Sequence, residues 1–277
     1  LAVVAACLAT VAACLPTSAL GTPSVSLRAA FDPEILGHAT TLRLRVQITP
    51  TTELVPPPLV QGELRYPAGL NVELSGLGID ACPVTTLELS GPQSCPANSL
   101  MGYGSALAEL PIKRQVVRET AQIAVVRTAE QAGHPALLLY IYGETALNAQ
   151  IVLAAQLLPA APPFGGLLDI QVPLVPTFPE AAYVTVSEFS LVLGPKDLTY
   201  YEHVHHKTIS YKPAGIPLPG HCPRGGFAFA VELSFLDGSH AEGATAVPCP
   251  TRSRRKGPGR PGRSATARAL RATPIAR

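Results

Sequence analysis

A chain of 277 residues, 47% hydrophobic and only 14% charged, with a formal net charge of +2, can bury a sizeable core and is not a wholly disordered protein. The absence of Trp, with 29 Pro and 23 Gly, points to many short elements broken by turns and argues against a bundle of long amphipathic helices.

Residues 1–20, LAVVAACLATVAACLPTSAL, are apolar and uncharged, and polarity rises at Gly21. They read as the apolar core and end of a secretory signal, with cleavage after Ala19 as the expected processing, small residues standing at Thr17 and Ala19. Two readings compete with it. A transmembrane anchor is disfavoured by the missing basic flanks. A lipoprotein leader is the other, because Val11-Ala12-Ala13-Cys14 resembles a bacterial lipobox and would make Cys14 the lipid attachment site. Each reading places the body of the chain outside the cytoplasm, secreted or associated with the cell envelope, and removal of the leader leaves no transmembrane anchor.

From Ser24 the hydrophobic period is two. In residues 41–49, TLRLRVQIT, Leu42, Leu44, Val46 and Ile48 face one way and Arg43, Arg45 and Gln47 the other, the pattern of a half-buried strand. Phe227, Phe229, Val231, Leu233 and Phe235 repeat it near the end. Strand-like runs lie between them at about 60–66, 70–74, 102–109, 115–126, 136–142, 167–172, 182–193 and 207–211, separated by turn signals such as VPPP, YPAG, SGPQ, PAAPPFGG and LGPKD. Residues 144–158, ETALNAQIVLAAQLL, have helix-forming composition, but a strand at 151–158 fits better among hairpin-connected neighbours. The expected class is all-β: one or two antiparallel β-sandwich units, Ig-like or jelly-roll-like with Greek-key connections, a first half at 24–158 and a second at 167–250 that share a domain or form two.

Four cysteines remain in the body, Cys82, Cys95, Cys222 and Cys249, an even number for an oxidising compartment. Proximity in sequence favours Cys82 with Cys95 and Cys222 with Cys249. A four-cysteine zinc site lacks the close C-x2-4-C pair such sites use. Each of the four precedes a proline, at 83, 96, 223 and 250, which biases the cysteine toward extended backbone at strand ends and loops. Gly102 and Gly104, just beyond the first pair, read as a bulge or a close backbone approach.

Residues 251–277 carry nine Arg or Lys and no acid, so removing them from the net charge leaves the body at −7. Their Gly, Pro and Arg mixture cannot build a core and reads as a disordered basic tail, suited to weak attraction to anionic envelope polymers. Gly259-Arg260-Pro261 resembles the centre of a minor-groove AT-hook, but three residues in a biased tract do not make this a nucleic-acid-binding chain.

No catalytic constellation stands out. Gly102-Tyr103-Gly104-Ser105-Ala106 lacks the G-x-S-x-G order, there is no HExxH, and no phosphate-binding glycine loop follows a strand. In residues 200–207, YYEHVHHK, a strand would put His203 and His205 on one face, a candidate metal pair with Glu202 or a distant carboxylate completing the shell, and the fold would have to bring His221 or His240 there. The simpler reading is a polar, Tyr-rich edge, and no cofactor is expected.

Tyr66-Pro67-Ala68-Gly69-Leu70, Leu77-Gly78-Ile79-Asp80-Ala81-Cys82, Cys95-Pro96-Ala97-Asn98-Ser99-Leu100-Met101-Gly102-Tyr103-Gly104-Ser105-Ala106, Cys222-Pro223-Arg224-Gly225-Gly226-Phe227, Asp237-Gly238 and Pro248-Cys249-Pro250 form a spaced pattern. Over about 24–250 it resembles uncharacterised secreted proteins of high-GC Gram-positive bacteria. The resemblance implies export and a β-rich, disulfide-bonded body, and it brings no activity, ligand or catalytic residue. The expectation is therefore an exported, non-enzymatic structural or binding protein, with a secreted hydrolase, a carbohydrate-active enzyme or a metal-binding protein as the alternatives.

Overall fold

A computed structural model describes residues 21–70, 76–112, 115–143, 148–177 and 182–250. The leader with Cys14, the basic tail and most of the run at 70–74 lie outside the described residues.

The strands are β1 (Ser24–Asp32), β2 (Ala39–Thr49), β3 (Leu59–Pro67), β4 (Leu100–Ile112), β5 (Gln115–Gln131), β6 (His134–Gly143), β7 (Ala149–Pro159), β8 (Phe164–Gln171), β9 (Thr185–Leu193), β10 (Tyr200–Val204), β11 (Lys207–Tyr211), β12 (Ile216–Pro217), β13 (Phe227–Phe235) and β14 (His240–Val247). One sheet runs in the order β1-β2-β9-β4-β5-β6-β7-β8-β3-β13-β14, with β12 paired to β2 and with β10 and β11 forming a separate hairpin. The all-β, antiparallel expectation holds, including a strand where residues 144–158 carry helix-forming composition. Strands from both sides of residues 159–166 interleave: β9 lies between β2 and β4, and β3 between β8 and β13.

Every neighbouring pair on that path is antiparallel, so its first and eleventh strands, β1 and β14, run in the same direction. An odd number of alternating strands cannot close with one more antiparallel pair. The two edges nonetheless lie against each other. Gly243 permits the approach, since a Cβ there would stand 3.0 Å from Val25 Cγ1 and 3.2 Å from the Val25 carbonyl oxygen. The sheet is therefore rolled into a near-barrel, whose opposite halves pack as the two layers of a sandwich do.

Alternation along the strands decides what faces inward. Leu42, Leu44, Val46 and Ile48 are buried while Arg43, Arg45 and Gln47 are exposed, and Phe227, Phe229, Val231, Leu233 and Phe235 of β13 are buried. Apolar side chains fill the inside and polar ones the outside, the reverse of the lipid-facing alternation of membrane barrels. Among the described residues no helix is long and apolar enough to cross a membrane.

One end of the barrel is solidly packed. Phe31 meets Phe227 edge to face at 5.4 Å and Phe229 at 6.0 Å, and Leu70, Leu77 and Tyr200 are fully buried there. Both favoured disulfides are present, Cys82–Cys95 and Cys222–Cys249. The first holds a helix that the sequence pattern does not announce, α1 (Val84–Ser90), against the outside of the sheet, where Leu87 packs with Cys82, Val126 and Leu138. Seven residues are too few for a helical period to register, and the helix is kept by Leu87 and the bridge rather than by its own propensity. Gly102 and Gly104 behave as expected: a Cβ on either would strike the carbonyl oxygens of Val192 and Ser190 on β9, and the β4 register shifts between Leu100 and Gly102.

Candidate functional site

The opposite end of the barrel is not filled. There the inward positions carry small residues in direct cross-strand pairs, Ala106 with Ala121 and Gly143 with Ala149. Small side chains facing each other leave space that Leu or Phe pairs would occupy. The result is a cavity of about 150 Å³, walled by Ile123, Leu139, Ile151, Leu153, Leu168 and Val231 among others. The connection between β8 and β9 bounds it at the barrel mouth: Pro173, Leu174, Val175 and Val184 line it, and the Val184 N–H donates to the Val175 carbonyl at 2.8 Å to hold the two sides of that connection together.

Glu119 is the polar side chain set into this wall. It sits on β5 in the same inward register as Ala121, Ile123 and Val125, directly opposite Ala108 of β4, and is 5% exposed. Its carboxylate rests against the α-carbon of Gly143, in the space a side chain at that position would take. The residue before it turns the other way: Arg118 points outward and donates through Nε to Glu109 at 2.9 Å, its direct partner across β4 and β5. Glu63, whose backbone also borders the cavity, carries its side chain on the outer face, where it accepts from Arg65 at 2.7 Å. Among the described residues lining the cavity there is no Lys, Arg, His, Cys or Asp.

The histidines expected to share a face are separated by a turn. His203 lies in β10 with its Nδ1 3.0 Å from the Thr208 hydroxyl, whereas His205 and His206 have φ of 46° and 62° and form the two-residue turn between the paired Val204 and Lys207. A hairpin turn of this kind needs positive φ at both central residues. Because His205 leaves the strand, the alternation that would align it with His203 does not apply. His240 pairs with Ser234 at 3.0 Å on the β13–β14 hairpin, and among the described residues no group of three or more His, Cys, Asp or Glu is placed to hold a metal ion. Ser105 faces Ser190 across β4 and β9 at 3.1 Å on the outer side of the sheet.

The cavity was not visible as a motif. Ala106, Ala108 and Ala121 alternate correctly for an inward face, which is the available signal, but only the register sets them opposite one another. No family model matches the chain, no curated protein matches it in sequence, and no solved structure matches it.

Proposed function

We propose that this chain is an exported, non-enzymatic binding protein of the cell envelope or extracellular space whose barrel lumen receives an apolar ligand. The supporting observation is the cavity itself: about 150 Å³ bounded by aliphatic side chains, on the scale of apolar protein cavities of about 150 Å³ that stay dry and take up benzene. Pockets that bind small molecules are mostly apolar with few placed polar groups, and Glu119 is such a group here. Hydrolysis needs at least two convergent titratable groups; Glu119 faces the cavity by itself among the described lining residues, which favours binding over catalysis. Two disulfides support export, since such bridges persist in oxidising compartments. The nine basic residues of 251–277 would add salt-sensitive attraction to anionic envelope polymers.

Isothermal titration with benzene tests the reading. Saturable binding of one benzene per chain is expected, and Ala121→Phe, which fills the cavity, should abolish it while the β-type circular dichroism spectrum is retained. Absence of saturable binding to the unaltered chain would refute the proposal.

A further inference from the structure

The cavity also carries chemistry that selects among apolar ligands, an inference that rests on the binding reading above. We infer that it takes a single-chain amphiphile whose polar end donates hydrogen bonds, an alkylamine or alkanol, seated with that end at Glu119, and that it discriminates against alkyl carboxylates.

Three observations carry this. The carboxylate is inside the barrel and nearly inaccessible from bulk water, so any ligand occupying the cavity meets it at short range without a screening layer. It is set at the mouth end, level with Gly143, Ala149 and Leu110, while the aliphatic wall of Ile123, Leu139 and Leu153 continues behind it toward the packed end; a chain lying along that wall has its terminus at Glu119. Gly143 leaves the carboxylate room, since any larger residue there would push it aside.

A carboxyl group carries two oxygens with lone pairs for more than one hydrogen bond, so whatever contact Glu119 keeps within the protein leaves acceptor capacity for a ligand donor. An ammonium or hydroxyl head satisfies it. An alkyl carboxylate brings further acceptors to that site and no donor to satisfy the Glu119 oxygens. No Lys, Arg or His among the described lining residues offers an anionic head a counter-ion.

The test is isothermal titration of the full chain with octylamine, 1-octanol and octanoate at pH 7, each below its micelle concentration, and of the isosteric variant Glu119→Gln. Octylamine should bind at least tenfold more tightly than octanoate, with octanol between them, and the amine-to-acid ratio should fall toward one in Glu119→Gln. Equal affinity for amine and acid in the unaltered chain overturns the inference, as does a ratio that survives in Glu119→Gln or failure of all three to bind. If benzene still binds saturably in those cases, only the head-group assignment falls; if benzene fails as well, the cavity reading falls with it.

Discussion

The hydroxyl of Tyr200 donates to the Leu100 carbonyl at 2.7 Å and accepts from the Gly78 N–H at 2.8 Å, tying the chain that plugs the packed end of the barrel to the first residue of β4. Tyr200 is fully buried, and its ring meets Tyr211 edge to face at 5.9 Å. Tyr200→Phe keeps the ring and leaves a backbone donor and acceptor without that partner, so it should cost about 1–3 kcal/mol in urea denaturation.

The same residue has a pH signature. Burial raises the Tyr200 phenol above its usual value of 10.0, the hydrogen bond from Gly78 opposing in part. The folded state therefore holds its proton longer than the unfolded state does. The contribution to stability is complete below pH 10 and is lost as pH rises through the raised folded value. Stability measured from pH 9 upward should fall less steeply in Tyr200→Phe than in the unaltered chain.

The two disulfides should rank against their loop lengths. Cys222–Cys249 spans 27 residues and Cys82–Cys95 spans 13, which on loop closure alone makes the former worth about 0.6 kcal/mol more. Cys82, however, is fully buried with Leu87, Val126 and Leu138, and its N–H donates to the Arg127 carbonyl. Replacing Cys82 and Cys95 by Ser adds a buried hydroxyl and frees α1, so this pair should cost the more, about 3 kcal/mol or above. Denaturation of the two double variants checks the order.

On the outer face, Glu242, Glu232, Glu63 and Asp169 stand directly opposite one another across four strands, with Arg65 bonded to Glu63 at 2.7 Å and to Glu232 at 3.0 Å. These two carboxylates keep the guanidinium protonated more firmly still, Glu232 foremost. Like charges opposed across a ladder repel. Because the groups are about a third exposed, the effect of Arg65→Met is discounted for solvent to about 1 kcal/mol of lost stability. The difference from the unaltered chain should shrink in 0.5 M salt.

At the seam, Gly243→Val should force β1 away from β14, since even a Cβ meets Val25 at 3.0 Å. A loss of about 1–3 kcal/mol is expected, as for overpacking generally, together with faster amide exchange in β1 than in β2.

Much of the architecture was open to reading residue by residue. The alternation of Leu42, Leu44, Val46 and Ile48 against Arg43, Arg45 and Gln47 gives both the strand and its buried face, because side chains on a strand have period two whatever lies beside it. Cysteine spacing gave the two pairings, and Asp237-Gly238 the β13–β14 turn, in which Asp237 Oδ1 accepts from the Ser239 N–H and Gly238 has φ of 81°. These are local constraints, written in neighbouring residues.

Tertiary structure alone decided the rest. Nothing in residues 185–193 or 59–67 says that β9 inserts between β2 and β4 or that β3 joins β8 to β13, since strand order is a property of long-range pairing. The identification of Glu119 as a cavity residue depends on Ala106 lying opposite Ala121 and on Gly143 leaving space beside its carboxylate, contacts between segments some 15 to 24 residues apart in the chain. His203 and His205 show the converse: a strand pattern that local sequence permitted was broken by positive φ at two turn residues. Local periodicity fixes which side of a strand is apolar, and only the register of the rolled sheet decides where the apolar sides meet and where they leave room.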